Sequence, residues 1–479
     1  MSDCCATSTV ATSDASPDIA IIGAGSAGFA AAIRAAELGA RAVLIGHGAI
    51  GGTCVNIGCV PSKTLIRAVE TLHNARAASR FAGIHARAEF VDWRAMVAQK
   101  DELVGALRHA KYIDLLPEYE NVTYLEGQAR LVSEGIAVNG TVLRPGKTII
   151  TTGASAAIPS IPGLDAIPWL TSTTALELSE LPTSLLVIGG GVIGCELAQM
   201  FARAGVKVTI LCRSRILPQV EPEISAALES YLRNEGIDVR CGVGYRAIRI
   251  AGGHVALDLD APDGTTQVVT AERVLVATGR RPNTAGLDLD HAGVALTPVG
   301  GIKVDDRLRT TRAGTYAAGD VTGRDMFVYM AAYGAKIAAE NALNGDGRRY
   351  DAASMPEVVF TDPQVATVGL TEAQARERRL DSQTVILPLD QVPRAIAARD
   401  TRGLIKLVAE RESGRLLGAH MLAPEAGDSI QTAVLAIKHG LTVNNLVETI
   451  FPYLTTVEGL KLAALGFSKD VAKLSCCAG

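Results

Sequence analysis

A chain of 479 residues is long enough for two to four domains, each with a core of its own. A formal net charge of −4 removes the electrostatic reason to expect nucleic acid. No apolar run reaches about 18 residues and no charged-then-apolar leader opens the chain, so a soluble cytoplasmic protein without membrane insertion is expected. Nine cysteines over this length are too sparse for a disulfide scaffold, and 48 glycines with few aromatics suit nucleotide-binding α/β layers.

Residues 1–17, rich in Ser, Thr, Ala and Asp, read as a mobile tail carrying the adjacent pair Cys4-Cys5. Asp18 to Ile22 then reads as a strand feeding Gly23-Ala24-Gly25-Ser26-Ala27-Gly28 and a helix from Phe29 to Leu38. This is a dinucleotide fingerprint in strand–turn–helix context: Gly23 for the turn, Gly25 for approach of a pyrophosphate, Gly28 for helix–sheet packing. A second strand, Arg41 to Ile45, ends in Gly46-His47, where such folds place an acid for ribose hydroxyls. The ribose contact is weakened, while the pyrophosphate cradle is intact.

Next comes Gly51-Gly52-Thr53-Cys54-Val55-Asn56-Ile57-Gly58-Cys59-Val60-Pro61-Ser62-Lys63, two cysteines ahead of a helix predicted from Ser62 to Ala75. A helix N-terminus favours the thiolate of a nearby cysteine. Such a pair can cycle a disulfide or hold a soft metal. A structural disulfide or half of a zinc site are the plainer alternatives, although no second CxxC or CxxxH lies nearby.

A long amphipathic segment follows, from Trp93 to Leu116, then short strands over Val122 to Val132 and a buried strand from Thr148 to Thr152. Proline-rich Ile158 to Pro168 reads as a crossover. The fingerprint then repeats: strand Leu185 to Ile188, loop Gly189-Gly190-Gly191-Val192-Ile193-Gly194, helix Cys195 to Ala204. Its second strand, Lys207 to Leu211, runs into Cys212-Arg213-Ser214-Arg215, and arginines there suit the 2′-phosphate of NADPH better than NADH; plain surface arginines are the alternative. Further landmarks are Val274 to Thr278 and Tyr316-Ala317-Ala318-Gly319-Asp320, which delivers an aspartate to a sheet's carboxyl edge. Cys195, Cys212 and Cys241 read as buried small hydrophobes. The last quarter adds the strands Val358-Val359-Phe360 and Leu404 to Val408 and a helix from Asp428 to His439.

Two fingerprints with a cysteine pair after the first resemble the FAD-dependent pyridine nucleotide–disulfide oxidoreductases, over nearly the whole chain. The resemblance implies a glutathione-reductase-like α/β fold, with two Rossmann-like domains for FAD and NAD(P) and an α+β dimerisation domain. The implied division is a 1–17 tail, an FAD domain at 18–155 and 285–350, an NADPH domain at 156–284, an interface domain at 351–470 and a tail at 471–479. It further implies that Gly28, Gly48, Thr53 and Ala129 line the FAD site, that Asp320 binds the ribityl chain, and that Val328 lies beside the flavin. Lys63 would sit near flavin N5, paired with Glu196. Cys59 would be the thiolate against the flavin, and Cys54 the exposed interchange thiol.

The ending departs from the disulfide-reducing members, which carry a C-terminal histidine contributed across the dimer. Here Phe451 stands at that position in Phe451-Pro452-Tyr453-Leu454-Thr455-Thr456-Val457-Glu458-Gly459. Loss of such an acid–base group costs thiol–disulfide exchange roughly 10²–10⁴-fold. The chain instead ends with Cys476-Cys477-Ala478-Gly479; adjacent thiolates chelate a soft ion such as Hg(II) better than they form a disulfide. An incidental tail is the alternative.

With Tyr453 and the cysteine stretch, these features resemble the mercuric reductase branch, in a core form lacking an N-terminal metallochaperone-like domain. That implies a homodimer in which Cys476 and Cys477 take Hg(II) from thiol complexes and pass it to Cys54 and Cys59 of the other subunit, where FAD reduced by NADPH delivers two electrons. Tyr453 would be an oxygen ligand, a proton donor or an interface-packing residue. The competing readings are a flavin-dependent disulfide or thioredoxin reductase with a redox tail, and a non-catalytic soft-metal binding protein.

Overall fold

The structure is a computed structural model that describes residues 16–473. The pairs Cys4-Cys5 and Cys476-Cys477 lie outside the described residues. The chain forms two compact units: residues up to Gly52 with Arg108–Ala154 and Pro282–Tyr350, and Thr53–Leu107 with Ser155–Arg281 and the residues from Asp351 on.

The first unit is built on a five-stranded parallel sheet in the order Thr315–Ala317, Lys147–Ile150, Ile19–Ile22, Ala42–Gly46, Val122–Glu126. Ile19, Ile21, Leu44 and Ile149 are fully buried, as a sheet covered on both faces requires. Helices Ser26–Glu37 and Val328–Asn344 pack on it through alanines, Ala27, Ala31, Ala35 against Ala331, Ala335, Ala338, whose small side chains permit close approach. The predicted strand pair over 122–132 splits: Val122–Glu126 ends the parallel sheet, while Ala129–Val132 opens a separate antiparallel meander.

The second unit contains a four-stranded parallel sheet in the order Asp238–Cys241, Lys207–Cys212, Ser184–Ile188, Arg273–Val276. It also holds a five-stranded antiparallel sheet in the order Pro356–Val359, Gln364–Gly369, Leu416–Ala423, Leu404–Glu410, Ser382–Pro388. Helices Ala426–Lys438 and Glu458–Leu465 cover the latter.

The cysteine-bearing segment 53–107 groups with this second unit. The cause is apolar. Leu65, Ile66 and Val69 share one core with Leu197, Met200 and Phe201 of the helix Val192–Arg203, and with Val359 and Leu422 of the C-terminal sheet. Truncating a buried phenylalanine such as Phe201 costs about 3–5 kcal/mol, more than a part-exposed ion pair contributes, so this stripe anchors the cysteine helix.

Three predicted helix starts are too late. The helices begin at Ser26, Val192 and Cys59, against expectations of Phe29, Cys195 and Ser62. In each case a glycine serves as N-cap (Gly25, Gly191, Gly58), so residues read as loop form the first turn. The long amphipathic segment is helical only over Trp93–Arg108 and continues as a π-turn, His109–Ile113. Among the described residues no helix is long and apolar enough to cross a membrane.

Candidate active site

The two glycine loops are built alike. Gly23 and Gly189 have φ of +116° and +117°, and a Cβ on either would fall 2.4 or 2.3 Å from a carbonyl oxygen of the neighbouring strand's end, Thr151 or Ala277. Gly28 and Gly194 sit so close to the turn that a Cβ would lie 1.8 and 2.0 Å from the oxygens of Gly23 and Gly189. Neither following helix has a side-chain cap, so its first N–H groups and the positive end of its dipole are left for an anion. Open space borders Gly191, and a Cβ on Gly25 would meet only the Gly52 Cα, at 3.5 Å. The residues present therefore fit two dinucleotide pyrophosphates.

The other first-unit candidates stand at the sheet's carboxyl edge or beside it. Asp320 opens a short 3-10 turn after the strand Thr315–Ala317, and Val328 is the first residue of the helix Val328–Asn344. Ala129 starts the meander and is buried; Gly48 is exposed with φ +80°. The unusual Gly46 has a packing cause that the sequence did not reveal. A Cβ there would come within 2.7 Å of both the Tyr124 hydroxyl and the Ala24 Cβ, so Tyr124 fills the space in which an acidic side chain would start.

In the second unit, Thr53 and Cys54 lie in the short helix Gly52–Ile57, and Cys59 is the first residue of the helix Cys59–Arg76. Both thiols are free and half-buried. They hydrogen-bond to each other, and that bond splits their acidities: it pulls the Cys59 thiol down to about 7, with Lys63 adding to the effect. Cys54 is pushed up by the same bond and by burial. The helix N-terminus at Cys59 favours the same thiolate.

Lys63, one turn after Cys59, donates to Glu196 Oε2 at 2.6 Å. Glu196 is 3% exposed, and its other oxygen accepts the Phe360 backbone N–H at 2.9 Å. The Lys63 ammonium lies 4.9 Å from the centre of the Phe360 ring. A carboxylate this buried needs both partners. Phe360 was legible in the sequence only as part of a strand. Its place is fixed two residues on, where Arg203 binds Glu235 and the Asp362 carboxylate, and Gln199 donates to and accepts from the Asp362 backbone.

The structure thus brings together Cys54, Cys59, Lys63 and Glu196. Tyr453 stands on a different loop, between the helices Val443–Glu448 and Glu458–Leu465, and is 50% exposed. The two arginines of the second fingerprint part company. Arg213 is exposed at the strand's end, whereas Arg215 donates to the Pro218 and Val220 carbonyls and ties down its own loop. Arg213 is the one free to meet a 2′-phosphate.

Chemically, this is a dithiol with one member ionised near neutrality, next to a half-buried lysine paired with a buried glutamate, in a chain with two dinucleotide cradles. Comparison with known proteins agrees. Residues 17–336 match the pyridine nucleotide-disulphide oxidoreductase family, and residues 355–464 match that family's dimerisation domain. A mercuric reductase from Streptomyces lividans is 49% identical over 96% of this chain and 98% of its own, and one from Staphylococcus aureus is 46% identical over 97% and 85%. Among solved structures, the Cu(II) complex of the HOCl-induced flavoprotein disulfide reductase RclA from Escherichia coli superposes with a TM-score of 0.84 at 32% identity, covering 95% of this chain and all of that one. The chain belongs to the pyridine nucleotide-disulphide oxidoreductase family and, within it, to the mercuric reductases.

Proposed function

We propose that this protein reduces Hg(II) to Hg(0) at Cys54 and Cys59 with electrons from NADPH, and that Cys476 and Cys477 deliver the ion. The observation that carries the reading is the dithiol itself, with Cys59 ionised near neutral pH beside Lys63. Two sulfurs satisfy a soft divalent ion. Binding displaces the Cys54 proton; the Cys59 sulfur, pulled down to about 7, is about half thiolate at neutral pH.

FAD would be held by Gly23, Gly25, Gly28, Gly48, Thr53, Ala129, Asp320 and Val328, and NADPH by Gly189, Gly191, Gly194 and Arg213. When bound, FAD supplies a two-electron relay from the nicotinamide to the sulfur pair. The balance is NADPH + Hg(II) → NADP⁺ + H⁺ + Hg(0). Lys63, kept charged by Glu196, favours negative charge next to it, first on Cys59 and then on whatever accepts electrons beside it. Neutral Hg(0) has little affinity for thiolates and leaves.

The tail cysteines suit capture because adjacent thiolates chelate a soft ion. Tyr453 would line the receiving site as an oxygen ligand or proton donor. A homodimer, with each site completed by the partner, is supported by the match to the dimerisation domain and by apolar side chains exposed around Tyr453: Ile450 is 94% and Leu454 44% exposed.

The test is NADPH oxidation dependent on Hg(II) in excess low-molecular-weight thiol, with headspace Hg(0) recorded, for wild type and the Cys476→Ala/Cys477→Ala variant. Volatile mercury from the wild type, and a loss in the variant that grows as free thiol rises, is expected. Turnover with oxidised glutathione but none with Hg(II) would overturn the reading in favour of a disulfide reductase, a possibility the likeness to RclA keeps open.

A further inference from the structure

The strands Lys207–Cys212 and Asp238–Cys241 run parallel and in register, so that Cys212 lies directly opposite Cys241 at their carboxyl ends. Register partners on neighbouring strands point to the same face, and parallel neighbours lie about 4.8 Å apart, inside the Cα range that a disulfide needs. Their sulfurs are 3.1 Å apart. Of the expectation that these are buried small hydrophobes, Cys212 keeps the burial, while Cys241 is only half-buried and touches Cys212. Cys195 does fit the expectation, being fully buried with its thiol on the Gly190 carbonyl. The pair has no part in the chemistry at Cys54 and Cys59.

We propose that Cys212 and Cys241 form a second, reversible disulfide that lowers the affinity of the adjoining site for NADPH; the effect on NADPH rests on the assignment of the second glycine loop to that nucleotide. The two sulfurs differ in access. Cys241 is half-buried, while Cys212 is 4% exposed. An incoming low-molecular-weight disulfide RSSR therefore meets Cys241 first. The bond to Cys212, burial and Glu229 beside it hold the Cys241 thiol above its ordinary value, so Cys241 attacks as its proton is drawn off by those neighbours and displaces RS⁻, leaving a mixed disulfide. Cys212, already in contact, attacks the Cys241 sulfur and releases the second thiol. The sum is two protein thiols plus RSSR giving one protein disulfide plus two RSH, with the protons carried away on the thiols.

The bond reaches the nucleotide site because Cys212 directly precedes Arg213 and touches the glycine loop. A Cβ on Gly190, the loop's second residue, would lie 3.1 Å from the Cys212 Cβ, so there is little slack on that side. Turning the Cys212 side chain to bring the sulfurs from 3.1 Å to about 2.05 Å presses on this tight contact with the glycine loop, one residue before Arg213.

The full-length FAD-loaded protein, fully reduced and then equilibrated with rising ratios of oxidised to reduced glutathione, is digested without reduction after blocking free thiols. Trypsin places Cys212 in Val208–Arg213 and Cys241 in Cys241–Arg246. A linked peptide pair that appears with oxidant and disappears with dithiothreitol is expected, along with NADP⁺ affinity about fivefold weaker by titration. Cys241→Ser should show neither change. Free thiols at both positions under oxidant that closes Cys54–Cys59 would overturn the disulfide. A linked peptide with unchanged NADP⁺ affinity would overturn its effect on the site. If the reduced protein fails to bind NADP⁺ at all, the nucleotide assignment is at fault, and the peptide map still decides the bond.

Discussion

The second unit holds two pairs of thiols in contact, on different scaffolds. Cys212 and Cys241 are fixed by strand register, have a glutamate, Glu229, 3.5 Å from Cys241, and no lysine bonded to either. Cys54 and Cys59 straddle a break between two helices, with one sulfur at a helix N-terminus and Lys63 a turn away. Sulfur contact alone therefore makes a redox-capable pair. Contact plus a helix end and a paired lysine makes one poised for exchange at neutral pH. The variants that follow take that second arrangement apart.

The largest effect should come from the sulfur itself. Cys59→Ala should reduce Hg(II)-dependent NADPH oxidation by at least about 10³-fold, since it removes both a metal ligand and the low-pKa thiolate. Cys241→Ser should leave turnover of the reduced enzyme within about twofold, because Cys241 lies outside that chemistry. Steady-state rates at saturating NADPH measure both. Comparable losses in the two variants would erase the distinction between the pairs.

Lys63→Met comes next. Without the ammonium the Cys59 thiol loses a charge that lowers its pKa, so the rising limb of activity against pH should move upward from its position near 7, by about one unit. The sign follows from the active form being the thiolate: at a fixed pH near neutrality the rate should fall about fivefold, and it should recover at higher pH. Because Glu196 would be left buried without its cation, the variant should also unfold at lower denaturant. A loss of rate that alkaline pH does not restore would mean that Lys63 acts on electron transfer more than on the thiol.

Gly58→Ala probes the break between the helices. A Cβ at Gly58 would lie 2.9 Å from the Thr53 carbonyl oxygen and 3.2 Å from its methyl group, so the two short helices must separate to admit it. The expected cost is about 1–3 kcal/mol in denaturant unfolding, with the Cys54–Cys59 hydrogen bond lengthened and the Cys59 pKa drifting toward the ordinary thiol value. Thiol titration by absorbance reads the second effect separately from the first.

Much of this site was legible in the residues, and the rest was hidden for identifiable reasons. Local patterns announced both glycine loops and the Cys54–Cys59 stretch, because a tight turn, a close backbone approach and a helix start each leave a short-range signature. The Lys63–Glu196 pair, separated by 133 positions, came only through resemblance to a family. Three features depended on tertiary packing and had no signature. Phe360 meets Glu196 through its backbone, which no side-chain pattern encodes. Tyr124 explains Gly46 from a neighbouring strand. Cys212 meets Cys241 through a register that composition does not set. The apolar stripe that ties the cysteine helix to Leu197, Met200 and Phe201 and to Val359 and Leu422 likewise joins residues far apart in the chain.

The smallest effect is the sharpest in sign. Glu196 opposes the ionisation of Cys59, whereas Lys63 favours it. Glu196→Gln removes the negative charge and keeps one oxygen able to accept the Phe360 N–H, so the backbone contact survives while the counter-charge of Lys63 is lost. The pH limb should therefore move downward by a few tenths of a unit, a gain of about a third in thiolate fraction at its midpoint and opposite in direction to that of Lys63→Met. Well above neutral pH, where Cys59 is already mostly ionised, the thiolate fraction can gain little. Any large drop in turnover there must come from the lysine's freedom to move once its partner is gone, not from the thiol. Measuring the limb in both variants separates these contributions: shifts of opposite sign mean that the pair tunes the sulfur electrostatically, while shifts of the same sign would mean that Lys63 and Glu196 matter only as a strut.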